Sequence, residues 1–422
     1  MANSQSAEIV ITGVGVLSSI GQGKTAFISA LTEGRHNFGV MRRPGRQWTP
    51  AAHAPGDVAA GPATSFLGAE VGEVSLPESI ARGNLRSASL SGQMALVALH
   101  EAWTDAKLDQ VDGARIGLVV GGSNFQQREL VNTHAAYAQR VPFLRPTYGI
   151  SFMDSDLCGL CTETFGIRAF AYTLGGASAS GQLAVIHAIQ AVRRDEADVC
   201  IALGALMDLS YWECQGFRSL GAMGSDLYAR EPARACRPFD RGRDGFIFGE
   251  CCGAVVVERV DSVRRSGVSP YVRLSGWSTR ADGNRNPNPS FDGEVAVIQQ
   301  CLARAGLSPE TIDYVNPHGT GSAIGDETEL RAIRQCGLAG AHLNATKALI
   351  GHGLSAAGTV ELIATVLQMK AAQLHPTRNL QEPIDSSFQW VGESAISHRI
   401  ERAIKLSMGF AGVNTAVCLE RV

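Results

Sequence analysis

The chain has 422 residues, enough for two domain-sized halves, with 45% hydrophobic residues and a formal charge of −3. That near-neutral balance, with no run of Lys or Arg, argues against a nucleic-acid partner, and no apolar stretch approaches the roughly 20 residues needed to cross a bilayer. The 47 glycines suit an α/β enzyme with many tight strand–helix turns.

The N-terminus, Met1-Ala-Asn-Ser-Gln5, has no basic segment leading into an apolar one. No signal peptide is visible there, and the chain is expected to be soluble and cytoplasmic, with no membrane partner. Glu8 to Ser18 reads as a strand running into a glycine turn. Ser18 occupies the third glycine position of a dinucleotide fingerprint, and a P-loop ending at Gly23-Lys24-Thr25 would need its first glycine at the same residue. Both nucleotide readings fail. Residues 41 to about 82 are rich in Pro, Gly and Ala without periodicity, which predicts a long surface excursion. Helical spacing returns from Ser87 to Leu108, and Ile116 to Gly122 reads as a buried strand.

The stretch Tyr172 to Leu183 organises the middle of the chain. An apolar run, Ile167 to Leu174, enters it, and an almost wholly apolar helical run leaves it as far as Val192. Gly175 and Gly176 permit a sharp turn, which sets Ala177, Ser178 and Ala179 at a helix N-terminus among free amide donors. Nucleophiles are often exposed on such turns at strand ends, although the spacing here is not G-x-S-x-G. A helix apolar all round must be covered on every side, and Ala356 to Met369 is its counterpart later in the chain. Gly249 to Val260 and Gly412 to Val422 echo each other, both closing in Glu-Arg-Val. The halves therefore divide as 1–260 and 261–422. Ten irregularly spaced cysteines give no zinc pattern, so no metal is expected, and those in apolar runs read as small core residues.

Five segments carry a family resemblance. Gly176-Ala-Ser-Ala-Ser-Gly181 is similar to the T-A-C-x-S-G nucleophile turn of the β-ketoacyl-ACP synthases, with Gly176 for threonine and Ser178 for the acyl-accepting cysteine. Arg237 to Glu250 resembles R-P-F-D-x-x-R-D-G-F-x-x-G-E. Asn316 to Glu329 resembles the H-G-T-G-T-x-x-G-D-x-x-E loop. Asn344 to Gly358 resembles N-x-x-K-x-x-x-G-H-x-x-x-A-A-G, and Ser407 to Asn414 the closing G-F-G-G-x-N loop. Gly353 and Ala411 stand where the family commonly has threonine and glycine. The resemblance implies a thiolase-like fold: a duplicated five-layer αβαβα sandwich.

It also implies roles. His318 and His352 would donate hydrogen bonds to the thioester oxygen of a malonyl group, with Lys347 and Glu329 orienting them. Thr320 and Ser322 would bind the phosphopantetheine arm of an acyl carrier protein (ACP), with Asn414 also in the substrate site. The backbone amides of Ser178 and Phe410 would form a second oxyanion hole, and the Phe410 ring would gate the pocket. The other histidines read as structural. No cofactor of the protein's own is implied; the partners are ACP and a second copy in a homodimer.

Serine is far less acidic than cysteine and needs a general base, whereas the histidines are committed as donors to the other carbonyl. Ser178 should acylate poorly, while decarboxylation needs no covalent step. The expected activity is conversion of malonyl-ACP to acetyl-ACP, as serine variants of the family do for β-branching in polyketide assembly. Two alternatives are a serine-dependent condensing enzyme or acyltransferase, and a non-catalytic partner resembling a chain-length factor. Retention of His318, Lys347 and His352 together speaks against the last.

Overall fold

The computed structural model describes residues 8–50, 61–80, 83 and 88–422. In chain order the first half supplies strand β1 (Ile9–Ser18), helix α1 (Leu90–Asp105), β2 (Ile116–Gly121), α2 (Ser155–Phe165), β3 (Phe170–Leu174), α3 (Ser180–Arg193), β4 (Val199–Gly204) and β5 (Cys251–Arg259). The second supplies β6 (Val272–Ala281), α4 (Phe291–Ala305), β7 (Tyr314–Asn316), α5 (Ala323–Gln335), β8 (His342–Leu343), α6 (Ala357–Ala371), β9 (Gln389–Trp390), β10 (Arg402–Gly409) and β11 (Val413–Arg421).

The first five strands lie in the order β3-β2-β4-β5-β1, and the second set repeats that order as β8-β7-β10-β11-β6, with β9 added outside β8. Orientations repeat too. β2 is parallel to β3 and β4, and β7 is parallel to β8 and β10. β4 is antiparallel to β5 as β10 is to β11. Even a bulge is duplicated, at Ile11/Gly13 of β1 and Leu274/Gly276 of β6. The echoing Glu-Arg-Val segments close β5 and β11, the corresponding strands of each half.

The two sheets join edge to edge over three residue pairs, Ile9–Ile11 against Val272–Leu274. Beyond that seam they diverge around α3 and α6, which pack on each other and on strands of both sheets. α6 is buried without a break from Ala357 to Met369. Its hydrophobicity on every face is thus explained by its place in the central layer. Helices α1 and α2 cover the outside of the first sheet, and α4 with α5 the outside of the second. Counted through the molecule, the layers are αβαβα.

Two expectations need correction. The Glu8–Ser18 segment does not turn at its glycines, because β1 continues through them to Ser18 with only the bulge at Ile11/Gly13. A Cβ at Gly15 would lie 1.9 Å from the Ala98 carbonyl of α1, so glycine here serves close helix–strand approach rather than a bend. Segment 41–82 lies partly outside the described residues, and the rest mixes exposed stretches, 61–63 and 72–73 among them, with buried ones. Leu67–Ala69 forms a buried strand. Arg46 is fully buried and ion-pairs with Asp208 at 2.8 Å and Glu250 at 2.6 Å. A composition rich in Pro, Gly and Ala without periodicity carries no sign of these long-range contacts. All ten cysteines are buried and unbridged. No described helix is long and apolar enough to cross a membrane.

Candidate active site

The two central helices start alike. Each is preceded by a 3₁₀ turn, Ala177–Ala179 before α3 and Leu354–Ala356 before α6. The first residue of each turn is left-handed, with φ 48° at both Ala177 and Leu354. Non-glycine residues in that region are strained, and such strain gathers at functional sites. Ser180 stabilises the first turn, its Oγ accepting from the Gly176 amide at 2.8 Å and donating to the Ala177 carbonyl at 2.7 Å. The helices then meet backbone to backbone: a Cβ on Gly358 would lie 2.6 Å from the Gln182 amide nitrogen. That contact sets Ser178 beside His352, with Ser178 Oγ 2.9 Å from His352 Nε2.

His352 is buried, and its backbone bonds Ile247 O at 2.7 Å and Gly249 N at 3.1 Å. Its ring stands edge-on to Phe246 (centroids 5.2 Å apart) and to His318 (5.4 Å). Its Nδ1 has no hydrogen-bond partner among the described residues. His318, half-buried, sits on the loop after β7. Lys347 reaches it from below, donating to its carbonyl and lying 3.5 Å from Nδ1. An ammonium at Nδ1 makes that atom the acceptor, so the ring proton resides on Nε2. Burial, Lys347 and His352 hold the His318 ring well below the usual histidine range, and burial and Lys347 do the same to His352. Both rings are neutral near pH 7.

The supporting residues act more selectively than expected. Glu329 accepts from the His318 amide at 2.6 Å and the Gly319 amide at 2.8 Å, fixing the loop rather than a ring. Lys347 touches His318 and reaches His352 only through its charge. Asp326 accepts from the Thr320 and Gly321 amides, each at 3.1 Å. Burial pushes Glu329 up to about 7 and Asp326 up to about 6.

These groups face one cavity of about 310 Å³, lined by Ser178, His318, Thr320, Ser322, Glu329, His352, Phe410 and Asn414 among others. Lys347 alone of the expected site residues lies behind the wall. Thr320 Oγ1 donates to Ser322 Oγ at 3.1 Å, and Asn414 donates to Asp282 at 2.7 Å. Phe410 is 36% exposed, its ring 6.3 Å from that of Phe217.

The model of the β-ketoacyl synthase N-terminal domain matches residues 6–262, and that of the C-terminal domain residues 271–381. The chain belongs to the β-ketoacyl synthase family. Within it, the Bacillus subtilis (strain 168) protein named polyketide biosynthesis malonyl-ACP decarboxylase PksF is 60% identical over 415 residues, 98% of this chain and 97% of that one. The 3-oxoacyl-[acyl-carrier-protein] synthase 1 of Haemophilus influenzae is 30% identical over 421 residues, 98% of each. A solved β-ketoacyl synthase from Burkholderia phymatum STM815 superposes with TM-score 0.85, at 22% identity and covering 99% of this chain and 100% of that one. The last shows the shared fold.

Two of the departures from the β-ketoacyl synthase pattern have local reasons. At Gly353 a Cβ would lie 2.2 Å from Cys251 Sγ, and at Gly176 it would lie 2.3 Å from Leu183 Cδ1, so the neighbours fill the missing volume. Ala411 adopts φ 65°, where glycine would be unstrained. Two residues escaped the sequence reading, Glu361 and Lys405. Glu361 Oε1 is 2.5 Å from Lys347 Nζ, and Oε2 is 2.8 Å from Lys405 Nζ. Each is a lone charge in an apolar run, Ala357 to Met369 and Ala403 to Leu406, and that was the available signal.

Proposed function

We propose that this chain converts malonyl-ACP to acetyl-ACP by decarboxylation, without an acyl-enzyme. In this reading the arm of ACP enters the cavity past Thr320 and Ser322, with Asn414 holding the Asp282 wall and Phe410 at the mouth. The thioester oxygen replaces Ser178 Oγ as the partner of His352 Nε2–H and accepts a second bond from His318 Nε2–H. The bond between the α-carbon and the carboxylate breaks, carbon dioxide leaves, and the electron pair forms an enolate whose charge settles on that oxygen. The α-carbon then takes a proton from water. Donors aimed at a developing oxyanion in a water-poor site contribute about 3 to 4 kcal/mol each. The amides of Ser178 and Phe410 remain as a second oxyanion hole.

One observation carries the choice between decarboxylation and acyl transfer. His352 is the group placed to act as base for Ser178, yet its Nδ1 meets no carboxylate among the described residues, and its depressed basicity weakens it further. A Ser–His pair normally needs that third group to orient the ring and stabilise the imidazolium. The transferase reading draws on the 2.9 Å Ser178–His352 contact and remains the second reading. The 60% identity to the B. subtilis decarboxylase supports the first.

Mass spectrometry of both partners separates them. Incubation with malonyl-ACP should yield acetyl-ACP and an unmodified enzyme. A stable acyl ester on the enzyme would establish transfer, and no reaction at all would make the chain a non-catalytic partner subunit. The proposal includes a homodimer and a cytoplasmic location.

A further inference from the structure

The charges behind the histidines do not balance. Lys405, on β10, is fully buried, as are Lys347 and Glu361. Lys405 Nζ ion-pairs with Glu361 Oε2 at 2.8 Å and donates to the Leu406 carbonyl. Glu361, extending from α6, holds Lys347 Nζ with its other oxygen at 2.5 Å, and Lys347 in turn contacts His318. The backbone is fixed as well, since Gln182 of α3 donates to the Lys405 carbonyl at 3.0 Å. Two ammonium groups therefore share one carboxylate. The neighbouring strand residues Asn316 and Val417, in register with Lys405, bring no charge. The other titratable groups in electrostatic contact with this cluster are Glu329 on α5, the rings of His318, His352 and His375, the Tyr314 phenol and the Cys236 and Cys251 thiols. Glu329 is only partly ionised at neutrality.

A buried surplus cation is costly, and a Leu or Met at this strand position would serve the fold better. What compensates it has to come with the substrate. Neither lysine lines the cavity, whereas His318 does, so both lie behind the ring that receives the thioester oxygen. Negative charge that leaves a malonyl carboxylate and settles on that oxygen moves towards them. We propose that Lys405 is a positioning residue of the decarboxylation site. Through Glu361 it holds Lys347 against His318, and its charge raises the positive potential that favours the enolate over the carboxylate. This rests on the decarboxylase reading for its chemistry, though not for its electrostatics.

Burial lowers Lys405 to about 8, against the opposing pull of Glu361. The active form is the protonated one, so turnover should be full below that value and fall as pH rises through it. The test compares wild type, Lys405→Met and Lys405→Gln across pH 6 to 10 on malonyl-ACP, with thermal unfolding and carbon-13 NMR titration of the histidine rings. Both variants should lose about 10- to 100-fold in kcat with KM changed less than about threefold. The fall near pH 8 should vanish, and the rings of His318 and His352 should titrate higher because a nearby cation is gone. Tm should hold or rise, since a desolvated charge has been removed.

Wild-type kcat with the alkaline limb retained in both variants would overturn the inference. So would lost activity accompanied by lowered Tm and unmoved histidines, the signature of a merely structural lysine. If wild type itself releases no acetyl-ACP, the decarboxylase reading fails, and the ring titrations alone decide whether Lys405 sets the site potential.

Discussion

The two histidines differ in what steadies them, and their variants should differ accordingly. His318→Ala and His352→Ala are each expected to cost about 100- to 1000-fold in decarboxylation, with non-additive effects in the double variant. Steady-state assays of acetyl-ACP release check this, and near-normal turnover in His352→Ala would remove that ring from the reaction. Because both rings sit well below their usual range, neither gains a proton between pH 8 and 6.5, and kcat should show no histidine-driven loss there. At Ser178 the expected pattern separates chemistry from placement. Ser178→Ala should stay within about tenfold of wild type, since no bond to Oγ forms. Ser178→Cys should acylate slowly from acyl-ACP, visible as added enzyme mass. An inactive Ser178→Ala beside an ester-bearing wild type would make the serine a nucleophile. His318 and His352 stood out because each lies in a glycine-flanked turn, and Lys347 because its segment resembles N-x-x-K-x-x-x-G-H. Lys405 was not, because its partner Glu361 is distant in the chain and no periodicity links a strand cation to a buried helix acid.

Among the described elements, β3 is the longer of the two strands that end the large sheet. It ends the sheet, pairs on one side with β2 alone, and is half-exposed, with Tyr172 39% accessible. An apolar edge carrying unpaired backbone groups invites a second strand. Pairing of two copies along β3 would cover it, and light scattering should give a dimer at micromolar concentration. Tyr172→Lys should shift that equilibrium towards monomer, whereas a wild type that is monomeric at those concentrations would contradict the pairing. The strands and buried helices around this edge were readable because their apolar runs are long and bounded by glycine. Segment 41–82 was not. Its buried Arg46 looks like a surface residue until Asp208 and Glu250, more than 160 positions away, are placed beside it.

At the scale of the molecule, duplication was visible in the sequence only as a repeated strand ending. The repeated strand order, bulge and 3₁₀ turns depend on backbone geometry, which unrelated side chains satisfy equally well in the two halves. The central layer has a cost in time as well as space. When α3 emerges from the ribosome, its cover is not yet made, since α6 and β10 lie more than 160 residues further along the chain. After β5 is complete, about 110 to 150 further residues must follow before α6 and β10 are made, and at about 5 to 20 residues per second the apolar face waits on the order of six to thirty seconds. A nascent chain in that condition is a natural client for chaperones. The fragment 1–262, expressed alone, should accordingly aggregate unless 263–422 is supplied in the same cell; a monodisperse, folded fragment would show that the first half covers α3 by other means.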